Sequence, residues 1–188
     1  MQKRQKKQLI GLVLFAIVLF VGPKINGLTE EPVQRKPVPA GFYAVTDFND
    51  GDTVTVDMSG RQEKIRFIGV DTPETQDPRK AVQCFGKAAS KFTKDLIGEQ
   101  AVRLEADPLN TNRDRYNRLL RYIYLPDGRL VNAEIIAQGY GFAYTSFPFT
   151  KADEFRALQT TARTEERGLW KSCTPEQNKY GGYTSNAE

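Results

Sequence analysis

Four carboxylates stand beside turn residues in the first half of the chain: Asp50 and Asp52 in Asn49-Asp50-Gly51-Asp52-Thr53, and Asp71 and Glu74 in Val70-Asp71-Thr72-Pro73-Glu74. Carboxylate oxygens suit hard cations, and a carboxylate aimed at water can act as a general base. Arg66 lies in the otherwise apolar run Ile65–Val70. A guanidinium there requires an anionic partner, either a structural aspartate or a phosphate. A third piece, Arg113-Asp114-Arg115-Tyr116-Asn117-Arg118, adds forked donors and an aromatic ring. Each piece alone has a plain structural explanation: a hairpin turn, a strand end that Pro73 terminates, a solvated charged loop. Their joint presence, in order, is what suggests a site. An EF-hand is excluded, because Gly51 at the required sixth position would put Thr46 and Phe48 in the first and third ligand places.

The chain has 188 residues and no histidine, which removes histidine general bases, histidine triads and histidine-ligated metals. Two cysteines cannot build a structural zinc or iron–sulfur site alone. Any catalysis must therefore use carboxylates, Arg, Lys, Tyr, Ser or Thr, with or without an oxygen-ligated metal. The formal charge is +4, but seven of the 27 Lys/Arg and only two of the 23 Asp/Glu lie in residues 1–40, so the remainder is nearly neutral. Nucleic-acid binding, if present, must rest on a local patch rather than on bulk charge.

The elements that position these residues can be read from the patterning. Leu9 to Val21 is an uncharged apolar run behind Lys3, Arg4, Lys6 and Lys7. At helical rise it reaches about 20 Å against a hydrocarbon core of roughly 30 Å, so it fits an export signal better than a full span. No small-residue cleavage site follows closely, so residues 1–22 are expected to be a signal peptide or an uncleaved N-terminal anchor. Residues 23–40 read as a Pro-rich linker, 41–173 as the functional domain and 174–188 as a loose polar tail. Phe42 to Asp47, Asp52 to Met58 and Glu63 to Val70 are expected strands, with Val54, Val56 and Met58 alternating against Thr53, Thr55 and Asp57. A helix is expected through Phe85, Ala89, Phe92 and Leu96, stopped by Gly98. Strands at Ala101–Ala106 and Arg118–Leu125 follow, then helices at Leu130–Gln138 and Thr150–Arg167, the last opened by a Thr150…Asp153 capping box. Three strands, a helix, two strands and terminal helices is the order of an OB barrel.

At this point the sequence resembles the staphylococcal nuclease (thermonuclease) family, through Asp50-Gly51-Asp52-Thr53, Arg66-Phe67-Ile68-Gly69-Val70-Asp71-Thr72-Pro73-Glu74, Arg115-Tyr116-Asn117-Arg118 and Gly168-Leu169-Trp170. The resemblance implies a five-stranded OB-fold barrel with about three α-helices, preceded here by the hydrophobic N-terminal segment. It implies calcium-dependent hydrolysis of DNA and RNA phosphodiesters, leaving 3′-phosphate and 5′-hydroxyl ends. By the same resemblance Asp52 and Asp71 are Ca2+ carboxylates, Thr72 offers its backbone carbonyl, Glu74 is the general base, and Arg66 and Arg118 bind the phosphate. Arg115 and Tyr116 contact the nucleotide, and Tyr144 is the nearest candidate for a further nucleotide contact, although the spacing of Gln138 to Phe147 departs from the family pattern. Asn117 stands where the family commonly has glycine; Asn tolerates positive φ, so the turn presenting Arg118 can survive.

Cys84 and Cys173 bracket the structured region, and in an oxidising compartment they are expected to pair; two free thiols are the alternative. The expected setting is extracytoplasmic, secreted or tethered to the membrane by the N-terminal segment, with DNA and RNA as partners, no protein partner implied, and a monomeric state. The rival reading is a non-catalytic OB-fold nucleic-acid-binding module, which has no need of the full set Asp52, Arg66, Asp71, Glu74 and Arg118. A protein- or glycan-binding barrel would leave that set without a role.

Overall fold

A computed structural model describes residues 38–75, 81–178 and 182–187. The expected leader at 1–22 and the expected linker up to residue 37 lie outside the described residues. Five strands close into a barrel: β1 (Phe42–Phe48), β2 (Thr53–Met58), β3 (Arg61–Phe67), β5 (Val102–Glu105) and β6 (Leu119–Tyr124), in the order β1-β2-β3-β6-β5. The β3–β6 pairing is parallel and the other four are antiparallel. This is the OB arrangement, and closure leaves no open edge on the main sheet.

The alternation in β2 and β3 explains the barrel. Val54, Val56, Ile65 and Phe67 are essentially fully buried, while their neighbours Thr55, Lys64 and Arg66 point away from the interior. Helix α1 (Gly86–Ile97) buries Ala89, Thr93 and Ile97, and ends at Gly98 as the pattern requires. Helix α2 (Val131–Ala137) is fixed to the barrel by Asn132, which is fully buried. Its Oδ1 accepts from Ile123 N at 2.9 Å and its Nδ2 donates to Ile68 O at 2.9 Å. Helix α3 (Ala152–Thr164) and the short α4 (Leu169–Ser172) complete the set, so there are four helices among the described residues.

Three details differ from the sequence expectations. The third strand does not run unbroken to Val70: it stops at Phe67 and resumes as β4 (Val70–Asp71), paired with β7 (Phe142–Ala143). Gly69 makes the break, with φ of 73°, and a Cβ there would lie 2.6 Å from the Phe149 ring. This swing carries Asp71 out of the barrel wall to its end. The capping box at Thr150 does not form, since Lys151 occupies the cap position without a side-chain bond. Thr150 instead gives both its backbone N–H and its hydroxyl to the buried carboxylate of Asp107. A buried charge needs donors more than a helix end does. Finally, the tail is not loose where it is described. Strands β8 (Glu176–Gln177) and β9 (Tyr183–Thr184) form a hairpin, the Tyr183 ring packs against Phe142 and Trp170, and Ser185 is buried.

Candidate active site

The turn between β1 and β2 sets the first carboxylates. Asn49 N and Asp50 N both donate to Thr53 O, at 3.0 and 3.3 Å, and Asp52 N donates to Asp50 Oδ1 at 3.0 Å. Asp52, only 4% exposed, is thereby turned into the end of the barrel. Across the β2–β3 ladder Thr53 faces Arg66, which brings the guanidinium beside the Asp52 carboxylate. Arg66 pairs with Asp52 Oδ1 through Nη1 and with Asp71 Oδ1 through Nη2, the latter at 3.0 Å. The anionic partner that the sequence demanded for Arg66 is thus two aspartates, one from each acidic turn.

The turns also touch directly. Thr72 N and Thr72 Oγ1 donate to Asp52 Oδ2 at 2.9 and 3.2 Å. Gly51 has no room for a side chain, because a Cβ there would sit 2.8 Å from the Thr72 side chain. Glu74 follows two residues later. Its Oε1 accepts from Thr75 N at 2.9 Å, and Gln83 grips its backbone twice: Glu74 N donates to Gln83 Oε1 at 2.7 Å and Gln83 N donates to Glu74 O at 2.9 Å.

Arg118 enters from the loop before β6. Its backbone N and its Nε donate to the two oxygens of Asp114 at 2.9 and 2.7 Å, and its Nη1 reaches Thr53 Oγ1 at 3.4 Å. Asn117 has φ of 65°, the positive value expected of it. Arg118 holds the Asp114 carboxyl below the usual range, its hydrogen bonds outweighing the effect of burial. The convergence is felt at Asp50. Burial pushes that carboxyl up, Arg66 opposes the shift, a hydrogen bond with Thr53 adds to the opposition, Glu74 pushes up further and Arg118 pulls down. Arg66, Glu74 and Arg118 therefore all act on one carboxyl.

Arg115 and Tyr116 lie on the same loop as Arg118, with the Tyr116 ring centre 4.8 Å from the guanidinium carbon of Arg115 and 5.4 Å from that of Arg118, and 65% exposed. Tyr144 follows β7, the strand that pairs with the one carrying Asp71. Its N–H donates to Gly69 O, and its ring meets Phe147 at 6.0 Å. The sequence reading gave no role to Gln83, which holds Glu74, or to Asp114, which aims Arg118. Only the Asp114–Arg118 spacing carried a signal. Cys84 and Cys173 are joined as a disulfide, with Cα atoms 6.0 Å apart.

A cation can be weighed against this donor set. Asp52 and Asp71 already converge on one positive centre, the Arg66 guanidinium, and every donor at hand is oxygen, which suits a hard ion such as calcium. No cluster of three or more Asp, Glu, Cys or His arranged to hold a metal occurs among the described residues. A cation held by Asp52, Asp71 and the Thr72 carbonyl would take its remaining oxygens from water and ligand.

The family described as staphylococcal nuclease homologue matches residues 64–172. The chain is 36% identical over 171 residues to the thermonuclease of Staphylococcus intermedius, spanning 88% of this chain and 98% of that protein. It is 40% identical over 129 residues to the thermonuclease of Staphylococcus hyicus, 68% of this chain and 75% of that one. With endonuclease YncB of Bacillus subtilis it shares 38% identity over 123 residues, 64% of this chain and 57% of that one.

Proposed function

The chain belongs to the staphylococcal nuclease family, and on that footing we propose that it is a calcium-dependent nuclease that hydrolyses DNA and RNA phosphodiester bonds to 3′-phosphate and 5′-hydroxyl ends. The observation that carries this reading is the meeting of Asp52, Asp71, Arg66 and Arg118 at one end of the barrel, with Glu74 two residues beyond the Thr72 that bonds Asp52. Binding nucleic acid alone does not need such a set.

The residues divide the work by their chemistry. Asp52, Asp71 and the Thr72 carbonyl would hold the cation, which when bound supplies charge stabilisation to a phosphoryl oxygen. Arg66 and Arg118 present guanidinium forks to the phosphate, where negative charge grows as water attacks. Asp114 keeps Arg118 aimed, so little reorganisation accompanies the reaction. Glu74 receives the proton of the attacking water. The new P–O bond forms as the bond to the 5′ oxygen breaks, and that oxygen leaves as a hydroxyl after taking a proton from solvent water. Arg115 and the exposed Tyr116 ring flank Arg118 and can engage the adjoining nucleotide.

The basic leader with its apolar run, together with a cysteine pair joined as a disulfide, supports an extracytoplasmic setting in which calcium is plentiful, with the chain secreted or tethered and acting as a monomer. The deciding experiment incubates full-length protein with single-stranded DNA and RNA, with calcium or with chelator, and labels the new ends. Cleavage that needs calcium and leaves 5′-hydroxyls is expected. Binding without cleavage in calcium would instead support the non-catalytic module.

A further inference from the structure

The outward side chains of β3 recur every second residue. Arg66 is one of them, and the next towards the β2–β3 turn is Lys64, about 7 Å along the strand and exposed. Beyond it lies a groove of about 310 Å3 lined by Arg61, Glu63, Lys64, Arg113, Tyr116 and Arg118. Its lining includes Arg118, the guanidinium that reaches Thr53 in the candidate active site, and Arg61, whose side chain is 72% exposed.

Glu63 explains why the cations stand where they do. It belongs to the inward series with Ile65 and Phe67 and is 8% exposed. A carboxylate that buried requires partners, and it has two: Arg61 Nε at 2.9 Å and Arg113 Nη1 at 2.9 Å. The hydrogen bond from Arg113 holds its carboxyl below the usual range, so it stays charged. Arg113 Nη1 also donates to Asn117 O at 2.7 Å, which ties the loop carrying Tyr116 and Arg118 to the barrel wall. Each guanidinium spends only part of its fork on Glu63, and Lys64 lines the same groove. Preset cations beside an exposed ring are what a single polynucleotide strand binds, through phosphates and base stacking. In a domain of almost no net charge, such a patch supplies the attraction that bulk charge does not.

We propose that this groove is a second subsite for single-stranded polynucleotide, in which Lys64, Arg61 and Arg113 engage backbone phosphate beyond the one held by Arg66 and Arg118. The inference rests on the nuclease reading for its orientation, though not for its binding chemistry.

The test uses full-length protein and the double substitution Arg61→Gln with Lys64→Gln, both exposed positions. Two quantities are measured: kcat/KM on an oligothymidylate of about twelve nucleotides relative to a thymidine dinucleotide, and the salt dependence of oligothymidylate binding by fluorescence anisotropy. The ratio is expected to fall about tenfold at low salt, through KM. The slope of log Kobs against log salt is expected to shrink by about 1.4, the value for two phosphate contacts on a single strand. An unchanged ratio and slope, or an equal loss on both substrates, would overturn the subsite. If the unaltered protein cut neither substrate, the nuclease reading would fail while the anisotropy slope still decided the groove.

Discussion

The turn at residues 49–53 closes on itself, whereas the turn at residues 71–75 is closed by chain far away. In the first, Asn49, Asp50, Asp52 and Thr53 bond one another through the backbone and the Asp50 carboxylate, and Thr93 Oγ1 of α1 adds a bond to Gly51 O at 2.6 Å. In the second, β4 and the Thr72–Asp52 bonds fix only Asp71 and Thr72. Glu74 depends on Gln83, and the segment around Gln83 depends on the end of the chain. Cys84 is bonded to Cys173, Cys84 N donates to Asn186 O at 2.8 Å, Ser185 Oγ donates to Cys84 O at 2.9 Å, and Gln83 bridges to Ala187. The carboxylates that would bind the cation are thus held by the barrel, while the one that would handle the proton is held by a strap made of a disulfide and a terminal hairpin. Charge binding and proton transfer can be perturbed separately.

The largest separation is expected for Glu74→Gln. It removes the proton acceptor but leaves every backbone bond to Gln83 in place. Turnover should fall by about 10²–10⁴-fold, with the thermal midpoint and calcium affinity close to those of the unaltered protein. Rates near the original would take Glu74 out of the mechanism.

Next in size is the double substitution Cys84→Ser with Cys173→Ser, which cuts the strap. Joining residues 89 apart in sequence stabilises the fold by about 2–5 kcal/mol, so the denaturation midpoint should drop by several degrees. Below that midpoint kcat should fall about tenfold, while calcium affinity by calorimetry stays within about threefold. Equal losses of kcat and calcium affinity would mean that the two turns are not independently supported.

The same contrast governs what could be read in advance. The Asn49–Thr53 turn was legible because its bonds span five residues, and the barrel was legible because Val54, Val56, Ile65 and Phe67 alternate with polar neighbours. Arg66 announced its partners by being a charge among apolar residues. Gln83 announced nothing, since a glutamine nine residues from Glu74 acquires meaning only once the chain between them is folded back. The tail hairpin was illegible because polar residues surround its anchoring ring, Tyr183, and its partners Phe142 and Trp170 are distant in sequence. The missed role of Asp107 has the same cause: Tyr122, Thr150 and Leu109 come together on it only in three dimensions.

Asp107 offers a control for the comparison, as a buried carboxylate remote in role from the candidate site. Burial would raise its carboxyl, but hydrogen bonds from Thr150, Tyr122 and Leu109 outweigh that and hold it below the usual range. A depressed carboxyl contributes stability that is present above its unfolded value, near 3.8, and is lost as pH falls through its folded value. Asp107→Asn should therefore destabilise by about 2 kcal/mol near pH 7, and the gap from the unaltered protein should close below about pH 4. Turnover at temperatures where both proteins are folded should match. A gap that persisted unchanged at pH 3 would show that shape rather than charge holds the α3 entrance.

The smallest effect expected is at Gln83, and it is the most direct probe of the strap. Gln83→Ala removes the Oε1 acceptor from Glu74 N but keeps Gln83 N–H on Glu74 O and leaves the disulfide intact. One neutral hydrogen bond contributes about 1 kcal/mol, so kcat should drop about fivefold through imprecise aim of Glu74, with KM unchanged because Arg66 and Arg118 are untouched. A merely structural role would lower the thermal midpoint without that split. Gln83→Glu keeps an acceptor oxygen in reach of Glu74 N and should restore alignment, while its added negative charge should move the acidic limb of the pH–rate profile upward by favouring the protonated form of Glu74. A variant series in which kcat and KM moved together, and the profile stayed still, would assign Gln83 to packing.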